Sequence, residues 1–170
     1  AEMKAGRLAK ESLGREEWDN FNVDDDDDLD WLGYFIGKSE YLCYLTIKYL
    51  PDGEEGHAFA EGISRSQSIR HIGINNLSND GFTSIMRALR SLSQLEALSI
   101  WDENDVDPDG WSELGTLLES GVCKLKQLYL SENHYIGNAD AGMGVLSNGL
   151  RGIGSSLTKL LLINNSIGNE

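Results

Sequence analysis

Six times along the chain a short apolar phrase returns, with hydrophobic residues at its first, fourth and sixth places. Five copies are clear: Leu42/Leu45/Ile47, Ile69/Ile72/Ile74, Leu95/Leu98/Ile100, Leu125/Leu128/Leu130 and Leu157/Leu160/Leu162. A weaker first copy is Trp18/Phe21/Val23. Successive copies start 24 to 32 residues apart. A fixed apolar phrase at such a period is the mark of a repeat architecture, in which no unit can bury its own hydrophobic face and stacked neighbours make a continuous core.

Within a phrase the fourth and sixth residues alternate with polar ones, so Leu45 and Ile47 share one face of a short strand. About ten residues on, the spacing becomes helical. Phe82, Ile85, Met86, Leu89 and Leu92 mark one apolar stripe, Trp111, Leu114, Leu117 and Leu118 a second, and Leu146, Leu150 and Ile153 a third. Between strand and helix stand similar turns: Pro51-Asp52-Gly53, Asn79-Asp80-Gly81-Phe82 and Pro108-Asp109-Gly110-Trp111. There Gly is expected to supply unusual backbone angles and Asp to cap the helix that follows.

The phrase, with Asn at its ninth place, resembles the leucine-rich repeat, and the long units resemble the ribonuclease-inhibitor-like class. The last copy matches best, through Leu157, Leu160, Leu162, Asn165 and Ile167, and the fifth carries Leu125, Leu128, Leu130 and Asn133. In other copies Leu50, Leu77 and Glu103 take the Asn place, with Asn76 and Asn104 one position away. The resemblance implies an α/β solenoid of right-handed strand-turn-helix units, with a curved parallel sheet on its concave face. Residues 18–170 form that domain, with about six strand units. Residues 1–17 are expected to be an N-terminal helical cap or the tail of a preceding repeat, and the natural chain is expected to continue past Glu170.

Composition narrows the function. Net charge is −14, and no basic stripe is present to neutralise phosphates, which disfavours nucleic acid. No apolar run reaches the ~20 residues of a membrane span. Two cysteines, Cys43 and Cys123, form no C-x-x-C motif or disulfide framework, which points to a reducing, intracellular compartment of unknown kind. The three histidines lie outside metal-ligand spacings, and no phosphate loop or nucleophile elbow occurs, so no enzyme activity, cofactor or metal is expected. Asp105-x-Asp107-x-Asp109-Gly110 copies half of a calcium loop, but Thr116 stands where the bidentate Glu belongs. Gly149-x-x-Gly152-x-Gly154 has the wrong order for a dinucleotide fingerprint and reads as a loose helix end.

The acids cluster. The strand-to-helix connections at 24–28, 51–55, 76–81, 101–110 and 131–140 hold 16 of the 28 Asp and Glu residues. Asp24, Asp26, Asp28, Asp105, Asp107 and Asp109 are the chosen representatives of an acidic edge able to steer a basic partner. Turn preference and helix-dipole capping explain the same bias without a partner. On the concave face, stacked strands align three columns: Asn20, Tyr44, His71, Ala97, Gln127 and Lys159; Asn22, Thr46, Gly73, Ser99, Tyr129 and Leu161; Asp24, Lys48, Asn75, Trp101, Ser131 and Ile163. Tyr44, Trp101 and Tyr129 are the candidate partner-binding anchors, with Lys48, His71 and Asn75 beside them. The competing reading is that these rings pack against their own cross-strand neighbours.

The expected function is a non-catalytic protein-protein interaction scaffold. Its partner carries a basic patch and meets the concave sheet and the acidic edge. The alternatives are a structural subunit of a larger assembly or, by class resemblance, a regulator that stimulates a GTPase in trans.

Overall fold

The computed structural model describes residues 20–25, 29–102, 106–122, 124–133, 140–153 and 156–165. Trp18, segment 1–17, Asp26, Asp28, Glu103, Asp105, Cys123 and Ile167 lie outside them. Among the described residues six strands alternate with five helices: β1 (Asn20–Val23), α1 (Leu29–Lys38), β2 (Tyr44–Ile47), α2 (Glu54–Ser64), β3 (His71–Asn75), α3 (Asn79–Leu89), β4 (Ala97–Trp101), α4 (Pro108–Glu119), β5 (Gln127–Ser131), α5 (Asp140–Ile153) and β6 (Lys159–Ile163). The strands form one parallel sheet in sequence order. No helix among the described residues is long and apolar enough to cross a membrane.

Each apolar phrase occupies one rung of this sheet. Its first residue precedes the strand, and the fourth and sixth lie on the core side. Leu45, Ile47, Ile72, Ile74, Leu98, Ile100, Leu128 and Leu130 are all buried there. The register is unbroken, so Ile72 pairs with Leu45 and Leu98, and Leu98 with Leu128. The helices supply the other wall. Phe82, Ile85, Met86 and Leu89 of α3 and Trp111, Leu114, Leu117 and Leu118 of α4 are buried in the same cluster, as the 3.6-residue spacing predicts. Burying one such side chain stabilises the fold by about 1.5–3 kcal/mol.

Helix packing differs along the layer. A Cβ added to Gly62 of α2 would lie 2.3 Å from the Gly33 carbonyl carbon, and one on Gly37 would lie 2.2 Å from the Gly62 oxygen, so α1 and α2 meet backbone to backbone. Gly149 plays this part on α5, where a Cβ would lie 2.9 Å from Leu118 Cβ. Gly149 and Gly152 of the glycine-rich run thus pack closely on α4 at the end of α5, and Gly154 lies outside the described residues. Between α3 and α4 an ion pair takes over: Arg87 and Arg90 both reach Glu113.

The turns depart from the expected capping. Ser78 caps α3, accepting from the Gly81 N–H at 3.1 Å, and Asp107 caps α4, accepting from the Gly110 N–H at 2.8 Å. Asp80 and Asp109 lie inside the first turns of these helices and do not cap them. The helix α2 begins after Gly53 with no side-chain cap. Among the three turn glycines only Gly53 has the left-handed φ, at 79°. Gly110 is small for another reason: a Cβ there would lie 2.3 Å from Asn79 Oδ1.

Two asparagines tie neighbouring units together. Asn133 is fully buried and donates from Nδ2 to the Ile100 carbonyl at 3.1 Å. Asn165 repeats this one unit later, donating to the Leu130 carbonyl at 2.9 Å while its Oδ1 accepts from the Asn133 N–H at 3.1 Å. Leu50 and Leu77 fill the same place as buried apolar residues in earlier units. A second repeated device precedes these side chains. Asn76, Asp102, Glu132 and Asn164, each two residues past the last core residue of its strand, adopt left-handed φ of 53–61°. Asn and Asp adopt that conformation at little cost, and Glu at a higher one.

Replacing Asn133 by Ala should lower unfolding free energy by about 1–3 kcal/mol, because it takes the side-chain donor away from the buried Ile100 carbonyl of the preceding unit. Glu132→Asn should raise it by about 1 kcal/mol by relieving the left-handed turn. Urea midpoints measure both, and an unchanged midpoint in Asn133→Ala would contradict the bridging role.

Candidate functional site

The helix-free face of the sheet carries the candidate anchors in the columns that alternation predicts. Tyr44, His71, Ala97, Gln127 and Lys159 stand side by side, and so do Thr46, Gly73, Ser99, Tyr129 and Leu161. Asn75, Trp101, Ser131 and Ile163 follow in the third column. Core-side neighbours are buried, whereas Tyr44, His71, Asn75, Trp101 and Tyr129 are half-buried. They are available to a partner on one side and packed on the other.

Their packing is specific. Tyr44 stacks on His71 with ring centroids 5.4 Å apart and planes 13° from parallel. Trp101 lies across the neighbouring strand at Gly73, where a Cβ would be 2.7 Å from the indole. Gly73 is thus what lets the large ring lie against the sheet. Asn75 donates from Nδ2 to the Trp101 carbonyl at 3.2 Å. Tyr129 hydrogen-bonds Gln127 through its hydroxyl, and the Lys159 ammonium sits 5.0 Å from its ring centroid. Cross-strand packing and exposure therefore coexist in the same rings.

Between the two ring groups the sheet is bare of large side chains. Ala97 and Ser99 form the floor of a trough of about 260 Å³, walled by Tyr44 and His71 on one side and Gln127 and Tyr129 on the other. Trp101 and Lys48 are not among its lining residues. Lys48 belongs to the acidic edge, 3.6 Å from Asp24. Burial holds the His71 pKa below its usual value, against the opposing pull of the Glu96 charge, so His71 is neutral near pH 7.

The two ends of the strands differ in charge. At the strand ends that lead into the helices, Asp24, Asp52, Asp80, Asp102, Asp107 and Asp109 stand with Lys48 as the one nearby lysine among the described residues. Several of these acids have structural work. Asp52 bonds the Ser78 hydroxyl, Asp107 caps α4, and Asp80 accepts from the Gly53 N–H at 2.9 Å with His57 Nε2 3.1 Å away. Accepting a hydrogen bond does not remove a carboxylate's charge, and each helix start offsets only about half a unit. The edge stays negative. Asp26, Asp28 and Asp105 lie outside the described residues.

The strand starts carry further cations, which lie outside the three alternating columns. Arg70 and Lys126 flank Glu96 at 3.5 and 3.0 Å, one residue before the His71, Ala97 and Gln127 column. The Lys126 hydrogen bond holds the Glu96 carboxyl below its usual pKa, so it stays ionised. Reading one more column in the sequence would have found this row. Among the described residues no three His, Cys, Asp or Glu side chains converge as metal ligands.

The Asp80 carboxyl is held below the usual carboxylate range, first by the Gly53 N–H and then by His57. A lowered carboxyl pKa means that the unfolded chain binds the proton more readily. The stabilisation is therefore complete above the unfolded value and lost as pH falls through the folded one. The stability difference between wild type and Asp80→Asn should stay constant above about pH 5 and shrink as pH falls below about 4, through the folded pKa. A difference independent of pH would contradict the inter-unit role of this charge.

No protein-family model matches the chain, and no curated protein matches it at a significant level.

Proposed function

We propose that the chain is a leucine-rich repeat solenoid of the ribonuclease-inhibitor-like kind, working as a non-catalytic scaffold that binds a protein partner across its helix-free, concave sheet. The observation that carries this reading is the open face itself: half-buried Tyr44, Trp101 and Tyr129 on three strands, with a trough floored by Ala97 and Ser99 between Tyr44 and Tyr129. Rings already held by neighbours lose little conformational freedom on binding, so their buried area converts efficiently into affinity. The repeat reading is supported by the single register through six strands and by the buried Asn133 and Asn165, which bond equivalent carbonyls one unit apart. The negative edge at the strand ends favours a partner whose basic patch is drawn to that side.

One observation favours a second reading, a structural subunit. On the outermost strand β6, Leu160, Leu162 and Ile163 are 40%, 38% and 48% exposed. With Leu146 and Leu150 of α5, Leu162 lines an apolar groove of about 370 Å³. A neighbouring subunit covering this end would bury it.

Affinity capture from extract of the native cell separates the two. The first reading expects a partner that is lost with Tyr44→Ala/Trp101→Ala/Tyr129→Ala and weakened as salt rises. The triple variant must keep its far-ultraviolet circular dichroism. A partner kept by that variant but lost with Leu160→Asp/Leu162→Asp would move the interface to the β6 end and overturn the proposal.

A further inference from the structure

The trough sits beside the basic row, and this combination selects a kind of ligand. Its volume of about 260 Å³ falls below the roughly 300–1,000 Å³ of small-molecule sites, which suits one inserted side chain rather than a cofactor. Two of its walls are aromatic: the Tyr44–His71 stack and the Tyr129 ring. Aromatic rings packed offset or edge-on are worth about 0.5–1.5 kcal/mol beyond their buried area. The floor, Ala97 and Ser99, leaves room for a ring between the walls.

The charge beside this trough opposes that of the molecule. Arg70 and Lys126 share the single carboxylate of Glu96, and Lys159 stands over Tyr129 with no carboxylate paired to it among the described residues. The strand-start rim is locally positive, although the chain's net charge is −14. The acidic edge lies at the opposite strand ends, a five-residue strand away, or ~16 Å at about 3.3 Å per residue. The Debye length at physiological ionic strength is about 8 Å. At the rim the nearby cations therefore prevail over the distant acids.

We propose that the trough receives one aromatic side chain of a partner segment that turns there, so that its flanking carboxylates meet Arg70, Lys126 and Lys159. This rests on the reading of the helix-free face as the binding surface, and it adds that the partner is locally acidic where it touches the strand starts. The same partner presents its basic patch to the opposite edge. Arginine and lysine would make charge-assisted hydrogen bonds to those carboxylates. The two rims together fix the orientation of the partner on the sheet.

The test is a nitrogen-15 correlation titration of the full chain near physiological salt with three blocked tripeptides: Asp-Phe-Asp, Lys-Phe-Lys and Asp-Ala-Asp. The proposal expects Asp-Phe-Asp to shift the amides of Ala97, Ser99 and Gln127 saturably. It should bind there roughly fivefold or more tightly than either other peptide. Lys159→Gln should weaken that binding severalfold, and Ser99→Leu, which fills the trough, should abolish the shifts with the remaining spectrum intact. Equal or tighter binding of Lys-Phe-Lys at these amides overturns the proposal. So does equal binding of Asp-Ala-Asp, or the lack of any saturable shift there. If the aromatic triple variant loses its partner while the peptides show no preference, only this inference falls. If Asp-Phe-Asp binds in the trough while the triple variant keeps its partner, the partner interface lies elsewhere and the peptide chemistry stands.

Discussion

Burial in this chain comes from neighbours, and everything else follows from that constraint. Leu128 and Leu130 on β5 are fully buried, while Leu160 and Leu162, their register partners on β6, are 40% and 38% exposed. The residue types and strand geometry are the same. What differs is that, among the described residues, β5 lies between two strands and β6 has one on a single side. At about 25 cal/mol per Å² of apolar surface, a rung gains much of its stability from the next rung. The asparagine bridges from Asn133 and Asn165 and the reach of Asp80 to Gly53 act across the same boundaries. They fasten unit to unit at places where the apolar phrase has ended.

The same stacking creates the candidate site. Parallel strands in one register turn a residue's place within its phrase into a row across the sheet. Helices cover one side, so the rows on the other remain open to solvent. Large rings at Tyr44, Trp101 and Tyr129 then stand among small residues at Gly73, Ala97 and Ser99, and the trough results from that alternation of size. The charge is organised by the same rule. Turn acids gather beyond the ends of β1 to β5, and Arg70, Lys126 and Lys159 gather at the strand starts. A chain that is acidic as a whole thus presents a polar gradient across its open face.

Much of the fold could be read directly from the residues. The apolar phrases set the strands, and the period-two alternation set both the buried and the open columns, including the stacked pair Tyr44 and His71. The helical stripes at Phe82 to Leu89 and Trp111 to Leu118 were legible for the same reason: burial on one face writes a period into the sequence. Capping was misread at Asp80 and Asp109, because the carboxylate nearest the glycine is already inside the helix and the residue two positions before it, Ser78 or Asp107, caps instead. The left-handed turns at Asn76, Asp102, Glu132 and Asn164 went unseen, since Glu132 carries no local signal for that conformation. Glycine contacts such as Gly62 against Gly33 were also out of reach. They depend on how two helices approach, which no single helix sequence encodes. The trough was missed because its floor is made of Ala97 and Ser99, residues that stand out only beside the rings that flank them.

Hydrogen exchange of the individual amides tests the dependence on neighbours most directly. Opening free energies differ between parts of one protein when they differ in buried contacts. The account predicts that the amides of β3 and β4, flanked on both sides, exchange slowest, and that those of β6 exchange faster by orders of magnitude through local opening. Protection of β6 equal to that of β4 would contradict the claim that each unit is held by its neighbours.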